Sequence, residues 1–355
     1  MTECVQAALV GAGGFAGGHV VPHLVSYAGL KYVAVCDPDR EAAQRAAETI
    51  GAEHVTADYR DVLALDGVRM VDLQTPNFLH AEQALAAFAA GKHVLVQKPM
   101  ATSLAEATAM VQAGRRARRL LGVYMDDLND PLLWDMKAAI EQGVIGRPVG
   151  FRVRYAHSGG LALRRDSWRR SLTKTGGGCF LLLTVHFVHV IGWLLGTCVA
   201  RVAGFTRTLL APMEGDDSAA GVLELENGLV GTAEASYLVR SHPDFPHTLV
   251  DVYGTEGNLS YRRDGQLLVH SLNRTFHGET GAYETPGQVG VLRSDRGVEH
   301  RPAVHERFAS AILGRGEPAV AGEAGRRDLA VCLALAEASR TGGAVDLDAM
   351  LSAEG

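Results

Sequence analysis

The sequence predicts an α/β protein in which a doubly wound parallel sheet is followed by an α+β domain with a mostly antiparallel sheet. Up to about Tyr124, short β-branched segments alternate with longer helical ones, and this alternation is typical of parallel sheets. After Asn129, strands with period-2 patterning follow one another, which favours antiparallel pairing. Because 355 residues are enough for two cores, we expect residues 1–124 to form one domain and 125–355 the other.

The elements of the first half can be read in order. The predicted strands are VQAALV, KYVAVCD, VRMVDLQT, KHVLVQ and LLGVYM. The segments HAEQALAAFAAG and SLAEATAMVQAGRRARR have the Ala, Leu and Glu content and the 3.6-residue spacing of crossover helices. Each ends in glycine or in basic residues, as helices commonly do.

The second half mixes both element types. We predict a helix at PLLWDMKAAIEQG, a strand at VGFRVRYAH, several strands between Val199 and His270, and closing helices around HERFASAIL and RRDLAVCLALAEASR. Residues 274–300 are predicted as a long loop or edge region. The apolar segment TGGGCFLLLTVHFVHVIGW approaches the length of a membrane span, but it contains two histidines and lacks flanking positive clusters. It is therefore predicted to be a helix buried in protein.

Composition excludes several classes of partner. The formal net charge of -6 argues against nucleic acid, and no segment favours a membrane. The five cysteines are widely spaced without a CxxC pair, and the amino terminus does not resemble a secretory signal. These features predict a cytoplasmic protein without a metal site.

The first strand leads into GAGGFAGGH, which fits a dinucleotide-binding loop. Small residues are needed there because the turn is tight and a pyrophosphate lies against backbone N–H groups at a helix start. The residues concerned are Gly11, Gly13, Gly14, Phe15 and Ala16.

Two residues after the second strand bear on the choice of dinucleotide. Asp37 ends that strand, where a carboxylate can accept hydrogen bonds from a ribose 2′-OH, and this favours NAD. Arg40 keeps NADP open as a 2′-phosphate ligand, although it also fits a solvated charge on a helix.

Two further segments stand at the carboxyl ends of predicted strands, where doubly wound sheets bind ligands. The first, TPNFLH, supplies the cofactor candidates Thr75, Pro76, Asn77 and His80, and the second ends in Gln97 and Lys98 before a proline. A lysine at that edge, where a proline halts the strand, predicts a functional rather than a solubilising charge.

Together, GAGGFAG, TPNFLHAEQALAAFAAGKHVLVQKPMA, the GGG-initiated helix with His186, and the late GEAGRRDL resemble the glucose-fructose oxidoreductase, inositol dehydrogenase and rhizopine-catabolism family. The resemblance implies a Rossmann domain, an open-faced sheet domain, and hydride transfer between a nicotinamide and a carbinol of a sugar or cyclitol. It also implies a homo-oligomer, a dimer or a tetramer. Lys98 matches the lysine of the family's Glu-Lys-Pro signature, and His186 matches its catalytic histidine.

The sequence departs from the family pattern at two positions. Gln97 replaces the signature glutamate, and Leu182 replaces an Asp that precedes the catalytic histidine by four residues. His189 is predicted to be structural. No metal site is predicted at His186 and His189, because the pair lacks a third nearby ligand of suitable spacing. The substrate-binding candidates are Asp126, Asp127, His157, Trp168, Lys174, Leu182 and His186.

These observations predict an NAD-dependent, alternatively NADP-dependent, oxidoreductase of a sugar, aminosugar or cyclitol. Lys98 is the expected proton-transfer group, because an ammonium near the reacting oxygen can donate a proton or stabilise a developing alkoxide, and His186 assists it. One alternative is a redox-neutral lyase or epimerase that works through transient oxidation. Another is a nucleotide-sensing protein without catalysis, suggested by the changes at Gln97 and Leu182.

Overall fold

The computed structural model describes residues 4–24, 29–240, 248–294 and 303–353. The chain divides into two compact units, Met1–Asn129 with Glu299–Arg326, and Asp130–Val298 with Arg327–Gly355. The predicted domain boundary at residue 124 stays a prediction. In the structure, the segment Glu299–Arg326 groups with the first unit rather than with the chain around it.

The first unit contains a six-stranded parallel sheet in the order β3-β2-β1-β4-β5-β6. The strands are β1 (Val5–Val10), β2 (Leu30–Cys36), β3 (His54–Thr56), β4 (Met70–Leu73), β5 (His93–Gln97) and β6 (Leu121–Tyr124). The helices between them are α1 (Gly14–His19), α2 (Arg40–Ile50), α3 (Tyr59–Leu63), α4 (Asn77–Ala89) and α5 (Leu104–Ala117). This strand order is that of a doubly wound dinucleotide-binding fold, so the predicted fold class is confirmed.

The local sequence explains these elements. β4 and the last four residues of β5 are buried throughout, as expected of strands covered by helices on both faces. α2 begins because the Asp39 side chain accepts hydrogen bonds from the Glu41 and Ala42 amides, and it ends where Gly51 adopts a left-handed conformation. β3 was not predicted, because its three residues carry too little pattern.

The second unit contains a nine-stranded sheet in the order β16-β13-β12-β11-β7-β10-β9-β8-β17. Its strands, with the hairpin β14–β15, are β7 (Pro148–Ala156), β8 (Val199–Arg207), β9 (Ser218–Leu225), β10 (Val230–Ser236), β11 (Thr248–Gly254), β12 (Gly257–Arg262), β13 (Gln266–Ser271), β14 (Phe276–His277), β15 (Ala282–Tyr283), β16 (Val289–Arg293) and β17 (Val345–Asp346). Only the β7–β10 pair is parallel within this described sheet, so the predicted mostly antiparallel sheet is confirmed.

The remaining helices complete the chain. They are α6 (Pro131–Glu141), α7 (Leu172–Thr175), α8 (Val185–Leu195), α9 (Ala303–Ile312), α10 (Gly322–Thr341) and α11 (Leu347–Ala353), with a π-helical turn at Phe180–Thr184. The predicted loop or edge region from residue 274 forms the short hairpin and the edge strand β16, whereas residues 295–300 lie outside the described ranges.

Helices cover one face of the nine-stranded sheet. The π-helical turn packs on β7 and β10, and α8 packs on β7. On the opposite face the side chains of Arg152, Phe205, Val222 and Val230 are exposed. Leu172–Leu195 is long and apolar enough to cross a membrane by length and composition, but 78% of its apolar window is buried in the protein. That burial is what a core helix shows.

Candidate active site

The glycine loop after β1 makes a turn that depends on glycine at its first position. Gly11 has a φ of +94°, and a Cβ there would lie 2.7 Å from the Gln74 carbonyl oxygen. L-residues rarely adopt this φ, so any substitution would strain the turn. Gly13 caps α1 and Gly14 begins it, and a Cβ at either would meet no atom of the described chain within 4 Å. The loop therefore packs on its own protein at Gly11 and leaves an open cradle at the next two glycines.

The Asp37 carboxylate at the end of β2 braces this loop. Its Oδ2 accepts a hydrogen bond from the Ala12 amide over 2.7 Å, and its Oδ1 accepts one from the Asp39 amide over 2.8 Å. A carboxylate has about four acceptor positions, so two such bonds leave capacity for hydroxyl donors. The open cradle suits a pyrophosphate and the carboxylate suits a ribose, so these residues fit a dinucleotide.

The other predicted cofactor residues near the loop differ in exposure. Ala16 is buried, whereas Phe15 is 36% exposed and its ring lies 5.3 Å from that of His19. Arg40 is the exposed first residue of α2. Both roles considered for Arg40, a solvated charge and a phosphate ligand, require that exposure.

The segment after β4 is tied to the segment after β5 by a buried histidine. His80 is fully buried, and its ring nitrogens lie 2.8 Å from the Thr75 carbonyl oxygen and 3.0 Å from that of Pro99. Burial lowers the pKa of His80 to about 4, against the opposing effect of the two carbonyls. Thr75 is further held by its hydroxyl, which donates to Gln83 Oε1 over 2.6 Å. His80 thus links two loops of the predicted cofactor site.

The structure brings Lys98 to the same edge of the sheet as the glycine loop. Lys98 is half-buried and directly follows β5, and its amide donates to Gln97 Oε1 over 2.7 Å. Gln97 Nε2 donates to Gln74 Oε1 over 3.1 Å, and Gln74 is the residue whose carbonyl touches Gly11. The carboxyl ends of β1, β4 and β5 therefore meet here, as the parallel sheet requires. Of the other predicted residues at this edge, Pro76 caps α4 and Asn77 begins it, buried.

Asp126 and Asp127 follow β6 in a short 3-10 helix that ends at Asn129. The Asn129 side chain accepts from the Val304 amide over 3.2 Å and donates to the Tyr124 hydroxyl over 3.4 Å. Burial and the negative charge of Asp126 together raise the pKa of Tyr124 well above its ordinary value. The two aspartates are therefore held on an ordered turn that also supports β6.

In the second unit, the glycine run before the apolar helix fits closely against Asp216. A Cβ on Gly178 would lie 2.1 Å from both the backbone nitrogen and the backbone oxygen of Asp216. The Asp216 carboxylate accepts from the amides of Gly178 over 3.2 Å and Phe180 over 3.0 Å, and its carbonyl accepts from the Cys179 amide over 2.6 Å. These bonds satisfy amides at the start of the helix that would otherwise lack partners. Glycine is needed because the two backbones touch.

His186 lies in a cluster of aromatic and basic side chains. Its ring is 5.6 Å from that of Tyr155, whose ring is 6.0 Å from that of His157. The His157 ring is in turn 5.1 Å from that of Tyr237. Arg263 donates to the Tyr155 hydroxyl over 2.6 Å. The cluster offers several hydrogen-bonding groups on aromatic surfaces, a composition suited to a polyhydroxylated ligand.

Sequence reasoning found His186 and His157 but missed three members of this cluster. Tyr155 could have been found, because it precedes His157 by two residues at the end of the predicted strand VGFRVRYAH, where residues two apart share a face. Tyr237 and Arg263 come from other parts of the chain, and no local pattern marks them. Burial is the largest effect on Tyr237 and raises its pKa.

The other predicted substrate residues of this unit come from three short helical segments that precede α8. Trp168 is half-buried with the Arg169 guanidinium 4.8 Å from its ring centroid, and Lys174 is exposed at the end of α7. Leu182 is buried in the π-helical turn, a feature often found at functional sites. His189 Nδ1 lies 2.9 Å from the Asp328 carboxylate, a pairing in keeping with a structural role.

Two family models match the chain. Residues 5–125 match a model described as an oxidoreductase family with an NAD-binding Rossmann fold, and residues 133–260 match the GFO/IDH/MocA C-terminal domain. The fold, the glycine loop and these matches define an NAD-binding oxidoreductase.

Individual relatives agree with that class. The chain is 31% identical over 290 residues to the 1,5-anhydro-D-fructose reductase of Ensifer adhaerens, covering 79% of this chain and 80% of that protein. It is 30% identical to the scyllo-inositol 2-dehydrogenase (NAD(+)) of Bacillus subtilis (strain 168), covering 73% and 74%. A solved levoglucosan dehydrogenase in complex with NADH and levoglucosan has the same fold, with a TM-score of 0.82, 23% identity and coverage of 97% and 100%. The chain belongs to the GFO/IDH/MocA oxidoreductase family.

Proposed function

We propose that this protein oxidises or reduces, with NAD, a secondary alcohol or ketone on a sugar, aminosugar or cyclitol. The observation that carries the proposal is the meeting of the Lys98 loop and the glycine loop through Gln74 at one edge of the parallel sheet. A proton-transfer group there would stand beside a bound dinucleotide. The named substrates of the relatives support the substrate class.

The residues that would hold NAD are those of the cradle and its surroundings. Gly13 and Gly14 would receive the pyrophosphate, and Asp37 would accept from a ribose hydroxyl. NAD, when bound, supplies the hydride acceptor of an oxidation. His80 holds the loops on both sides of this region without exposing its own ring. A preference for NADP would instead point to Arg40.

Lys98 is proposed to take the proton from the reacting hydroxyl during oxidation and to return it during reduction. Its Nζ would also stabilise the alkoxide character that develops as hydride leaves the carbon. The half-buried position of Lys98 and the fixed peptide of the same residue support this role, because proton transfer requires hydrogen-bond reach and a stable geometry.

His186 is proposed to orient the substrate hydroxyls, with His157 beside it. His157 Nδ1 accepts a hydrogen bond from the Gly159 amide over 2.8 Å, so its neutral ring carries its proton on Nε2 and can donate there. Tyr155 and Tyr237 would give flat surfaces for a sugar or cyclitol ring. The further proposed substrate-binding residues are Asp126, Asp127, Trp168, Lys174 and Leu182.

The test is a turnover screen. The purified protein is incubated with NAD or NADP and scyllo-inositol or levoglucosan, or with the reduced cofactors and 1,5-anhydro-D-fructose, while nicotinamide absorbance is followed. Net cofactor reduction or oxidation with a member of this class supports the proposal. Product formation without net change in NADH would instead favour the redox-neutral lyase or epimerase. NADH binding without turnover of any sugar or cyclitol in a broader panel would favour the nucleotide-sensing protein.

We further propose that the protein is a cytoplasmic homo-oligomer, a dimer or tetramer. The exposed Phe205, Val222 and Val230 on the uncovered face of the nine-stranded sheet support an interface, because such patches commonly mark contact surfaces. All five cysteines lie in the described ranges and are free thiols, which suits a reducing compartment. Light scattering at several protein concentrations tests the oligomer, and a mass of one chain throughout would contradict it.

A further inference from the structure

A directed chain of hydrogen bonds runs through the interior of the first unit, from the backbone of Lys98 to the carboxylate of Asp72. The Lys98 amide donates to Gln97 Oε1 over 2.7 Å, and Gln97 Nε2 donates to Gln74 Oε1 over 3.1 Å. Gln74 Nε2 then donates to Asp72 Oδ1 over 2.7 Å. All three side chains are buried, and Asp72 has no exposed surface.

The two ends of this chain determine the direction of every bond in it. A backbone N–H can only donate, and an ionised carboxylate can only accept. Between them stand two amide side chains, each with one accepting oxygen and one donating nitrogen. Every contact is satisfied in one arrangement, in which Gln97 and Gln74 both turn their oxygens toward Lys98 and their nitrogens toward Asp72.

The carboxylate itself is fixed by two other donors. Asp72 Oδ2 accepts from the Tyr32 hydroxyl over 2.7 Å and lies 2.9 Å from His305 Nε2. Tyr32 and His305 are both buried. A buried charge requires such partners, because an unpaired charge in the interior is strongly destabilising. The Asp72 carboxylate is therefore held in place independently of the amide chain that it orients.

We propose that Asp72 is a positioning residue for Lys98, acting through Gln74 and Gln97. The carboxylate fixes the orientation of both amides, and Gln97 in turn fixes the Lys98 peptide from which the reactive side chain extends. This inference rests on the proposed role of Lys98 in proton transfer. Without the carboxylate, the amides can turn, and the Lys98 N–H then faces an NH₂ group for part of the time.

The same reasoning explains why residue 97 is a glutamine. An ionised glutamate at position 97 could accept from the Lys98 amide, but its other oxygen would face the side-chain oxygen of Gln74. No hydrogen would then lie between residues 97 and 74. If Gln74 turned to donate to that glutamate, its oxygen would face Asp72 instead. Asp72→Asn removes this conflict, because an asparagine side chain at position 72 can donate to the turned Gln74. Residues 72 and 97 are thus coupled. The series of hydrogen bonds is fully satisfied with a carboxylate at one of these positions but not at both.

The test is a double-mutant cycle of Asp72→Asn and Gln97→Glu, measured as kcat, KM and thermal midpoint with the substrate identified in the turnover screen. We expect each single variant to lower kcat by about tenfold or more, with KM for NAD within about twofold, since small displacements of a catalytic group are costly. The double variant should recover to within about threefold of wild type. A double variant no better than the product of the single effects would overturn the proposal.

Asp135→Asn is the matched control for burying an asparagine. Asp135 is a buried carboxylate of the second unit that accepts from the Glu279 amide over 2.7 Å and the Thr280 amide over 2.9 Å. The Asp135→Asn variant should have a lower thermal midpoint than wild type, with the kcat of the folded protein unchanged. If Asp72→Asn behaves in the same way, Asp72 is only structural and the proposal is wrong.

Lys98→Met separates this inference from the proposed function. If Lys98→Met abolishes turnover while Asp72→Asn leaves kcat unchanged, the positioning role fails and the proton-transfer role stands. If Lys98→Met keeps turnover, the proton-transfer role fails and the positioning role with it. A coupling between residues 72 and 97 in the thermal midpoints would then show that these hydrogen bonds contribute to stability and not to catalysis.

Discussion

The buried His80 predicts a loss of stability in mild acid that can be assigned to one residue. Burial lowers the pKa of His80 to about 4 in the folded protein, whereas the ordinary value is 6.5. Between these pH values His80 binds a proton in the unfolded chain but stays neutral in the folded protein. The stabilising contribution is thus present above about pH 6.5 and is lost as the pH falls toward 4. A difference of this size corresponds to roughly 3 kcal/mol as an upper estimate.

The assay is urea unfolding followed by circular dichroism at a series of pH values between 7 and 4. His80→Gln removes the titrating ring but keeps a side chain that can bond one of the two carbonyls. The variant should be less stable than wild type at pH 7, and its free energy of unfolding should fall less steeply with acid. His54→Gln, at an exposed histidine of β3, is the control and should keep the wild-type slope.

The two carbonyls around His80 define the outcome that would contradict this prediction. A neutral imidazole carries one N–H and can donate to Thr75 or to Pro99, whereas an imidazolium could donate to both. If the variant and the wild type lose stability in parallel, or if the wild type gains relative to His80→Gln in acid, the second hydrogen bond outweighs burial. The assignment of His80 as a neutral buried link would then be wrong.

Four further outcomes follow from the site. Lys98→Met should lower kcat by at least about 100-fold with NAD affinity within a few-fold, checked by steady-state kinetics and NAD titration; near wild-type turnover would remove Lys98 from the mechanism. Asp37→Ala should weaken NAD binding and reduce discrimination against NADP by roughly 1–3 kcal/mol, checked by titrating both cofactors; a wild-type preference for NADP would contradict it. His186→Asn should keep measurable activity while His186→Ala loses more, and full activity in both would leave His186 structural. Gly178→Ala should cost about 1–3 kcal/mol of stability because of the backbone atoms 2.1 Å from its Cβ, whereas Gly343→Ala, where a Cβ meets no described atom within 4 Å, should cost little.

The parallel sheet of the first unit could be predicted because five of its six strands carry their own signal, whereas β3 is too short to carry one. VQAALV and KHVLVQ are apolar runs bounded by turn residues, and the helices between the strands have clear 3.6-residue spacing. Parallel pairing then follows, since each crossover helix must return the chain to the same end of the sheet. The placement of the glycine loop and of Lys98 at one edge required no further information.

The contents of the second site could be predicted only in part. His186 and His157 were found because the motif and the strand end mark them. Arg263, which follows β12, instead reaches Tyr155 of β7 across the intervening strand β11. Which strand lies beside β7 depends on long-range pairing that local patterns do not encode. The segment beyond residue 274 shows the same limit, because β16 is a five-residue edge strand within a segment whose Gly and Thr content resembles a loop.

The departures from the family pattern also acquire a physical meaning only in three dimensions. In the sequence, Gln97 stands where the family signature has a glutamate. The missing negative charge suggests a protein without catalysis. In the structure, Gln97 is linked through Gln74 to the carboxylate of Asp72. A second carboxylate at residue 97 would leave one contact in this series of hydrogen bonds without a donated proton. The charge is thus present in the network, although not at the position where the motif would place it. Glutamine at position 97 is therefore the side chain that matches the hydrogen-bonding needs of its buried neighbours. This argues against taking Gln97 as evidence for a protein without catalysis.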